Sequence, residues 1–168
     1  IDNLDIPSGV TAIGGSAFSH NYIGSTYLPR GLQTLGDNAF FDCSGFTTIN
    51  SDMIPPNITT VPLGCFGGCN DVTTVDIPEG VTEINSSAFD GLTKLKSLTL
   101  PQSLTRINDG GAFCCGWDDD NYYYNEVTIP SGVTYIGDRA FNSTHIRIFH
   151  IKSTTPPTIN DINNTLST

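Results

Sequence analysis

The residue types able to bind a metal or act as a nucleophile are few here, and their spacing is the first thing to test. Five cysteines occur, Cys43, Cys65, Cys69, Cys114 and Cys115, an odd number that forbids complete pairing within the chain. Cys65-x-x-x-Cys69 lacks a second ligand pair at zinc-site spacing. His20, His145 and His150 form no metal-type pair and no Cys/His nucleophile arrangement. The nucleophile-elbow motif G-x-S-x-G is absent, because Gly14-Gly15-Ser16-Ala17-Phe18 fails at the final glycine. The glycines make no phosphate loop. Paired carboxylates on one face can hydrolyse a polysaccharide, but no pair among the many acids stands out. The expectation is a non-enzyme with no catalytic residues, no metal site and no cofactor.

The most individual chemistry lies in one segment, Cys114-Cys115-Gly116-Trp117-Asp118-Asp119-Asp120-Asn121-Tyr122-Tyr123-Tyr124-Asn125. It holds the only tryptophan, half of the six tyrosines and three successive aspartates. Three readings stay open. Trp117, Tyr122, Tyr123 and Tyr124 can form a recognition loop, since these side chains join large contact area to a polar handle. They can equally fold back and cap neighbouring apolar surface. Calcium at Asp118, Asp119 and Asp120 has the least support, because adjacent aspartates cannot easily aim at one ion and the spaced D-x-[DN]-x-[DN]-G loop is missing.

What positions these residues is a repeat. Taking proline as the mark, similar units begin at Pro7, Pro29, Pro55, Pro78, Pro101 and Pro130, with steps of 22, 26, 23, 23 and 29. A period of about 23 residues with two insertions accounts for all of them. The clearest copies are Ile6-Pro7-Ser8-Gly9-Val10-Thr11-Ala12-Ile13, Ile77-Pro78-Glu79-Gly80-Val81-Thr82-Glu83-Ile84 and Ile129-Pro130-Ser131-Gly132-Val133-Thr134-Tyr135-Ile136. Each copy runs on to a small residue and a phenylalanine: Ala17-Phe18, Ala39-Phe40, Cys65-Phe66, Ala88-Phe89, Ala112-Phe113 and Ala140-Phe141. An apolar triplet such as Leu95-x-x-Leu98-x-Leu100 then leads into the next unit.

The spacing predicts two short strands per unit. In the triplet, Leu98 and Leu100 point inward and Thr99 outward. Proline ends that strand by removing a backbone donor. The Val-Thr-x-Ile piece alternates again, and Ala-Phe is expected in a tight helical or 3₁₀ turn. No unit can bury its apolar face alone, so the units must stack, with the phenylalanines in one ladder. The expected fold is an α/β leucine-rich-repeat solenoid: a β-rich right-handed superhelix of ~23-residue coils with parallel strands. Strands about 4.8 Å apart give a stack roughly 30 Å long for six to seven coils. The expected organisation is a single array over residues 1–157 and a polar, Asn-rich tail over 158–168. The smaller insertion, around Asn50-Ser51-Asp52-Met53, reads as a bulge or longer turn without a chemical signature.

The pattern resembles the BspA-like leucine-rich repeats, L-x-x-L-x-I-P-x-x-V-x-x-I-x-x-x-A-F, over roughly Leu4 to Ile159. Ile-Pro and Ala-Phe separate it from the asparagine-bearing repeats of animal receptors. The segment Ile151-Lys152-Ser153-Thr154-Thr155-Pro156-Pro157-Thr158 is similar to the way such arrays close in Bacteroidetes surface proteins, although related repeats also occur in parasitic protozoa. The resemblance implies a secreted or surface-anchored protein that binds host matrix proteins, glycans or other cells. It brings no shared catalytic residues.

Composition agrees. Seventeen acidic against seven basic residues leave a formal charge of −10, which repels phosphate backbones and anionic lipid. Nucleic acid is not an expected partner. No run approaches the roughly 20 apolar residues that span a bilayer, so membrane insertion within this chain is not expected. The chain opens inside patterned sequence without a visible signal segment. Asn57-Ile58-Thr59, Asn85-Ser86-Ser87, Asn142-Ser143-Thr144 and Asn163-Asn164-Thr165 match the glycosylation acceptor and matter only in a eukaryotic secreted setting.

Stacking also predicts rows of outward residues. The triplet strand gives Asp5, Tyr27, Asp76, Thr99, Thr128 and His150; the Val-Thr-x-Ile strand gives Ala12, Thr34, Thr60, Glu83, Arg106 and Tyr135. Thr11, Thr59, Thr82, Thr105 and Thr134 form a ladder better explained by β-propensity and packing between coils than by ligand binding. The expected binding surface is the first row, through Asp5, Tyr27, Asp76 and His150, together with Trp117 and Tyr122–Tyr124. The partner would be a host or matrix protein, a glycan or another cell surface. A carbohydrate-recognition module and a structural spacer displaying another domain are the alternatives. Cys43 and Cys69 follow their phenylalanines by three residues in adjacent coils, so they read as buried free thiols or as one disulfide.

Overall fold

A computed structural model describes residues 2–114, 126–144, 146 and 148–160, and in them each coil contributes short strands at the positions set by the repeat. The first coil holds β1 (Leu4–Asp5), β2 (Ala12–Ile13) and β3 (Tyr22–Ile23). The second holds β4 (Thr26–Tyr27), β5 (Thr34–Leu35) and β6 (Ser44–Gly45). The third holds β7 (Thr48–Ile49) and β8 (Thr60–Val61), and the fourth β9 (Thr74–Asp76) and β10 (Glu83–Ile84). The fifth holds β11 (Ser97–Thr99) and β12 (Arg106–Ile107), and the sixth β13 (Glu126–Ile129) and β14 (Tyr135–Ile136). A partial seventh adds β15 (Ile148–Ile151) and β16 (Thr158–Ile159).

The strands stack in two main rows, and every pairing is parallel. Row one comprises β1–β4, β7–β9–β11 and β13–β15. Row two comprises β2–β5 and the five-stranded run β8–β10–β12–β14–β16. A minor sheet pairs β3 with β6. Row one is therefore divided between β4 and β7 and again between β11 and β13, and row two between β5 and β8. The expected boundary at 157/158 falls inside the stack, since Thr158 and Ile159 pair with Tyr135 and Ile136.

Between the rows the chain turns on proline. The carbonyls of Pro7, Pro29, Pro55, Pro78, Pro101 and Pro130 each accept the N–H three residues on, at 2.9–3.4 Å. That turn explains the fixed Pro-x-x-Val/Leu/Ile spacing. The next inward residues, Ile13, Leu35, Val61, Ile84, Ile107 and Ile136, are all buried. The preceding threonine hydroxyls of Thr82, Thr105 and Thr134 donate to the carbonyls of Thr59, Thr82 and Thr105 in the coil before. The threonine ladder is thus engaged in holding coils together.

The helical turns and the α/β label are not borne out: among the described residues there is no α- or 3₁₀-helix. The reason lies two residues either side of each phenylalanine. Ser16 and His20 flank Phe18, Asn38 and Asp42 flank Phe40, and Arg139 and Ser143 flank Phe141, all with φ between 52° and 59°. Gly64 and Gly68 take the same places around Phe66. Left-handed residues cannot propagate a right-handed helix. They turn alternate N–H groups toward the following coil instead. Ser16, Phe18 and His20 donate to Asp37, Ala39 and Phe41 at 2.8–2.9 Å, and the same three-bond pattern joins Asn38, Phe40 and Asp42 to Leu63, Cys65 and Gly67. Hydrogen bonds that a helix would keep internal are spent between coils.

The core is the column these bonds align. Phe18, Phe40, Phe66, Phe89, Phe113 and Phe141 stack face to face, with ring centroids 5.2–5.8 Å apart. Phe149 meets Phe141 edge-on at 5.3 Å and ends the column. Five of the six stacked rings are fully buried, each contributing about 1.5–3 kcal/mol from burial alone. Cys43 and Cys69 are buried beside them as free thiols, their Sγ atoms donating to the carbonyls of Phe18 and Phe40. Cys65 fills the alanine position, also buried and free. Burial pushes all three thiols up from the usual cysteine range.

Candidate recognition surface

Row one presents its predicted outward residues as a line. Asp5 lies opposite Tyr27, Asp76 opposite Thr99, and Thr128 opposite His150. All six are exposed, and Tyr27 is 67% exposed. Among the described residues, Asp5, Tyr27, Asp76, Thr99 and Thr128 make no side-chain hydrogen bond. The exception is His150, whose Nε2 lies 3.0 Å from Glu126 Oε2. A parallel strand row holds such side chains at the coil spacing without occupying their polar atoms. That leaves hydroxyl, carboxylate and phenol groups free to meet a partner.

Row two is outward in register, and from Glu83 to Tyr135 it is laced together. Thr60, Glu83, Arg106, Tyr135 and Thr158 follow one another across the five strands. The Asn108 amide donates to Glu83 Oε1 at 2.6 Å and to Asn85 Oδ1 at 2.7 Å, and Arg106 Nε donates to Asn108 Oδ1. The Arg106 guanidinium lies 3.9 Å above the Tyr135 ring, a cation–π contact. Asp109 Oδ1 accepts from the Tyr135 hydroxyl and the Asp138 N–H, both at 2.7 Å. Those donors, the Tyr135 hydroxyl first, hold the Asp109 carboxyl below its ordinary range. These groups serve one another.

Comparison with known proteins can be set against this geometry. The sequence model of the BspA type leucine-rich-repeat region matches residues 1–115 and 48–165, with six copies. The chain belongs to that family. Among solved structures, a leucine-rich cell surface protein from Faecalibacterium prausnitzii is 27% identical, with a TM-score of 0.60 over 92% of this chain and 33% of that one. A leucine-rich-repeat protein from Eubacterium ventriosum is 21% identical, with a TM-score of 0.59 over 96% of this chain and 46% of that one, a likeness of fold alone. This BspA type array thus spans a third to a half of the solved chains it matches. The search of curated proteins found no match.

The aromatic insertion of this BspA type array, with Trp117, Tyr122, Tyr123, Tyr124 and Asp118–Asp120, lies outside the described residues, as does His145. Among the described residues no group of three or more His, Cys, Asp or Glu side chains is arranged to hold a metal. No helix there is long and apolar enough to cross a membrane.

One feature was not foreseen from the residues. Where the Asn50–Met53 insertion separates β4 from β7, a cleft of about 280 Å³ opens, lined by Gly24–Tyr27, Phe46–Thr48, Asn50, Asp52 and Met53. The insertion is a closed turn: Asn50 O accepts from the Met53 and Ile54 N–H groups, and Asn50 Oδ1 from the Asp52 N–H at 2.9 Å. Leu28 N–H then donates to Asp52 O, which rejoins the third coil to the second. The only signal in the sequence was the 26-residue step between prolines. A second concavity, about 350 Å³ and largely apolar, lies at the first coil beside Leu4, Ile6, Val10 and Phe18, whose equivalents further along are covered by the preceding coil.

Proposed function

We propose that this chain is a non-enzymatic recognition module displayed outside the cell, holding a host, matrix or neighbouring-cell partner through row one and the 115–125 segment. The observation that carries the reading is the contrast between rows. Asp5, Tyr27, Asp76, Thr99 and Thr128 of row one are exposed and make no side-chain hydrogen bond among the described residues, whereas Glu83, Arg106 and Tyr135 of row two are engaged with one another or with the adjoining Asn108 and Asp109. Membership of the BspA type family and likeness to a protein named as a cell surface protein support the location. The roles of Asp5, Tyr27, Asp76 and His150, and of Trp117 and Tyr122–Tyr124, belong to this proposal.

The test is a screen of purified protein against immobilised extracellular-matrix proteins and a glycan array. It is run beside two variants, Asp76→Arg with Thr99→Arg on row one, and Trp117→Ser with Tyr122–Tyr124 all changed to serine. Saturable capture that falls with either variant supports the reading. Capture unchanged by both would place the binding surface elsewhere. A clean negative for the parent would favour a spacer that displays another domain.

A further inference from the structure

The cleft between β4 and β7 has a composition of its own, and it lies within the row-one face. Tyr27, the most exposed large apolar or aromatic side chain among the described residues at 67%, lines it. Thr47 and Thr48, both exposed, line it as well, as do Asn50 and Asp52. Asn50 spends only its Oδ1 on the turn, so its two amide hydrogens remain as donors. Thr47 and Thr48 hydroxyls donate and accept, and Asp52 accepts. The turn is fixed by three hydrogen bonds to Asn50, so these groups are held before a ligand arrives, which lowers the ordering cost of binding.

An aromatic wall with amide, hydroxyl and carboxylate groups beside it matches a hexose. The ring offers an apolar C–H face to a tyrosine and adjacent hydroxyls that donate and accept together. The volume, about 280 Å³, sits at the lower limit of small-molecule sites and suits one terminal sugar ring. Charge selects further. The chain carries −10 and the cleft its own Asp52 with no basic side chain in its lining, which disfavours sialylated, sulfated or uronic sugars.

We infer that the Tyr27–Thr48–Asn50–Asp52 cleft is a subsite for a neutral sugar ring, so that the partner held by row one presents a neutral glycan there. This rests on the reading of row one as the recognition face and names the chemistry of one position on it.

The test uses the whole chain and methyl glycosides of glucose, galactose, mannose, N-acetylglucosamine and N-acetylgalactosamine as probes, followed by saturation-transfer NMR and titration. Tyr27→Ala and Thr48→Val probe the cleft. Tyr22→Ala replaces another exposed tyrosine outside its lining, and thermal melting verifies the fold of all three. Binding of at least one neutral glycoside is expected, weakened about tenfold by Tyr27→Ala, reduced by Thr48→Val and unchanged by Tyr22→Ala. No binding by any glycoside, or binding indifferent to Tyr27→Ala and Thr48→Val in folded protein, overturns the inference. The two readings fail separately. Row-one capture of a protein that persists without any sugar binding removes the subsite alone, while sugar binding in the cleft with no row-one dependence in the screen removes the wider face alone.

Discussion

Row one and row two come from the same coils and the same inter-coil hydrogen bonds, yet their outward side chains are used in opposite ways. In row two, Glu83, Asn85, Arg106, Asn108, Asp109 and Tyr135 bond sideways from coil to coil. In row one, Asp5, Tyr27, Asp76 and Thr99 stand at matching register without such bonds. The backbone therefore does not decide which face of a solenoid is available to a partner. Side-chain lacing does, by spending polar groups internally on one face and leaving them free on the other. Row two is divided once, between β5 and β8, and then runs through five strands, while row one is divided twice into three short sheets. Insertions in solenoids often mark a binding face.

The largest expected effect ignores the distinction between rows. Phe89→Ala opens a gap in the middle of a ring column with neighbours at 5.3 and 5.7 Å, and should cost about 3–5 kcal/mol in urea unfolding. Row-one binding and row-two integrity should fall together, because both rows hang on that column. Loss of one without the other would mean that the coils are less coupled than stacking implies.

A row-two change should affect stability and spare recognition. Asn108→Ala removes two donated bonds and one accepted bond from a partly buried amide, and should cost about 1 kcal/mol in the same unfolding experiment. Capture by row one should be unaltered.

The smallest effect is on acid sensitivity. Asp109 is held below its ordinary range by the Tyr135 hydroxyl and then the Asp138 N–H, and Glu79 by the Gln102 N–H, with the Ser103 N–H also donating. Both folded-state values are depressed, so the stabilisation is present above the ordinary carboxylate range, about pH 4. It fades as pH falls through the lowered values, when the native carboxylates take up protons. Melting temperature should therefore decline on acidification, and Asp109→Asn should decline less steeply than the parent. An Asp109→Asn profile parallel to the parent would remove Asp109 from the account of row two.

Much of this was legible in the residues. Pro-x-x-Val and Ala-Phe spacing set the coil register so tightly that the predicted row-two neighbours Ala12 and Thr34, Thr60 and Glu83, Glu83 and Arg106, and Arg106 and Tyr135 are paired as expected, Thr34 and Thr60 alone being unpaired. The conformation around phenylalanine was not legible. Ala-Phe suits a helical turn, and Ser16, Ser87 and Arg139 carry no type signal for the left-handed backbone they adopt; inter-coil hydrogen bonding dictates it. The cleft was invisible for a related reason. The Asn50–Met53 insertion registers in sequence only as extra length, and its chemistry arises when Tyr27, from the coil before, comes to line the same space. Thr158 and Ile159 look like tail residues by composition but find a ready strand edge in β14.

The central claim, that row one recognises and row two supports, is tested most directly by reading capture and melting temperature on the same two proteins. One carries Asp76→Arg and Thr99→Arg on row one, the other Asn108→Ala on row two. The account predicts that the first loses capture and melts like the parent, while the second captures like the parent and melts lower. Capture lost from a folded row-two variant and kept by the row-one variant would contradict it.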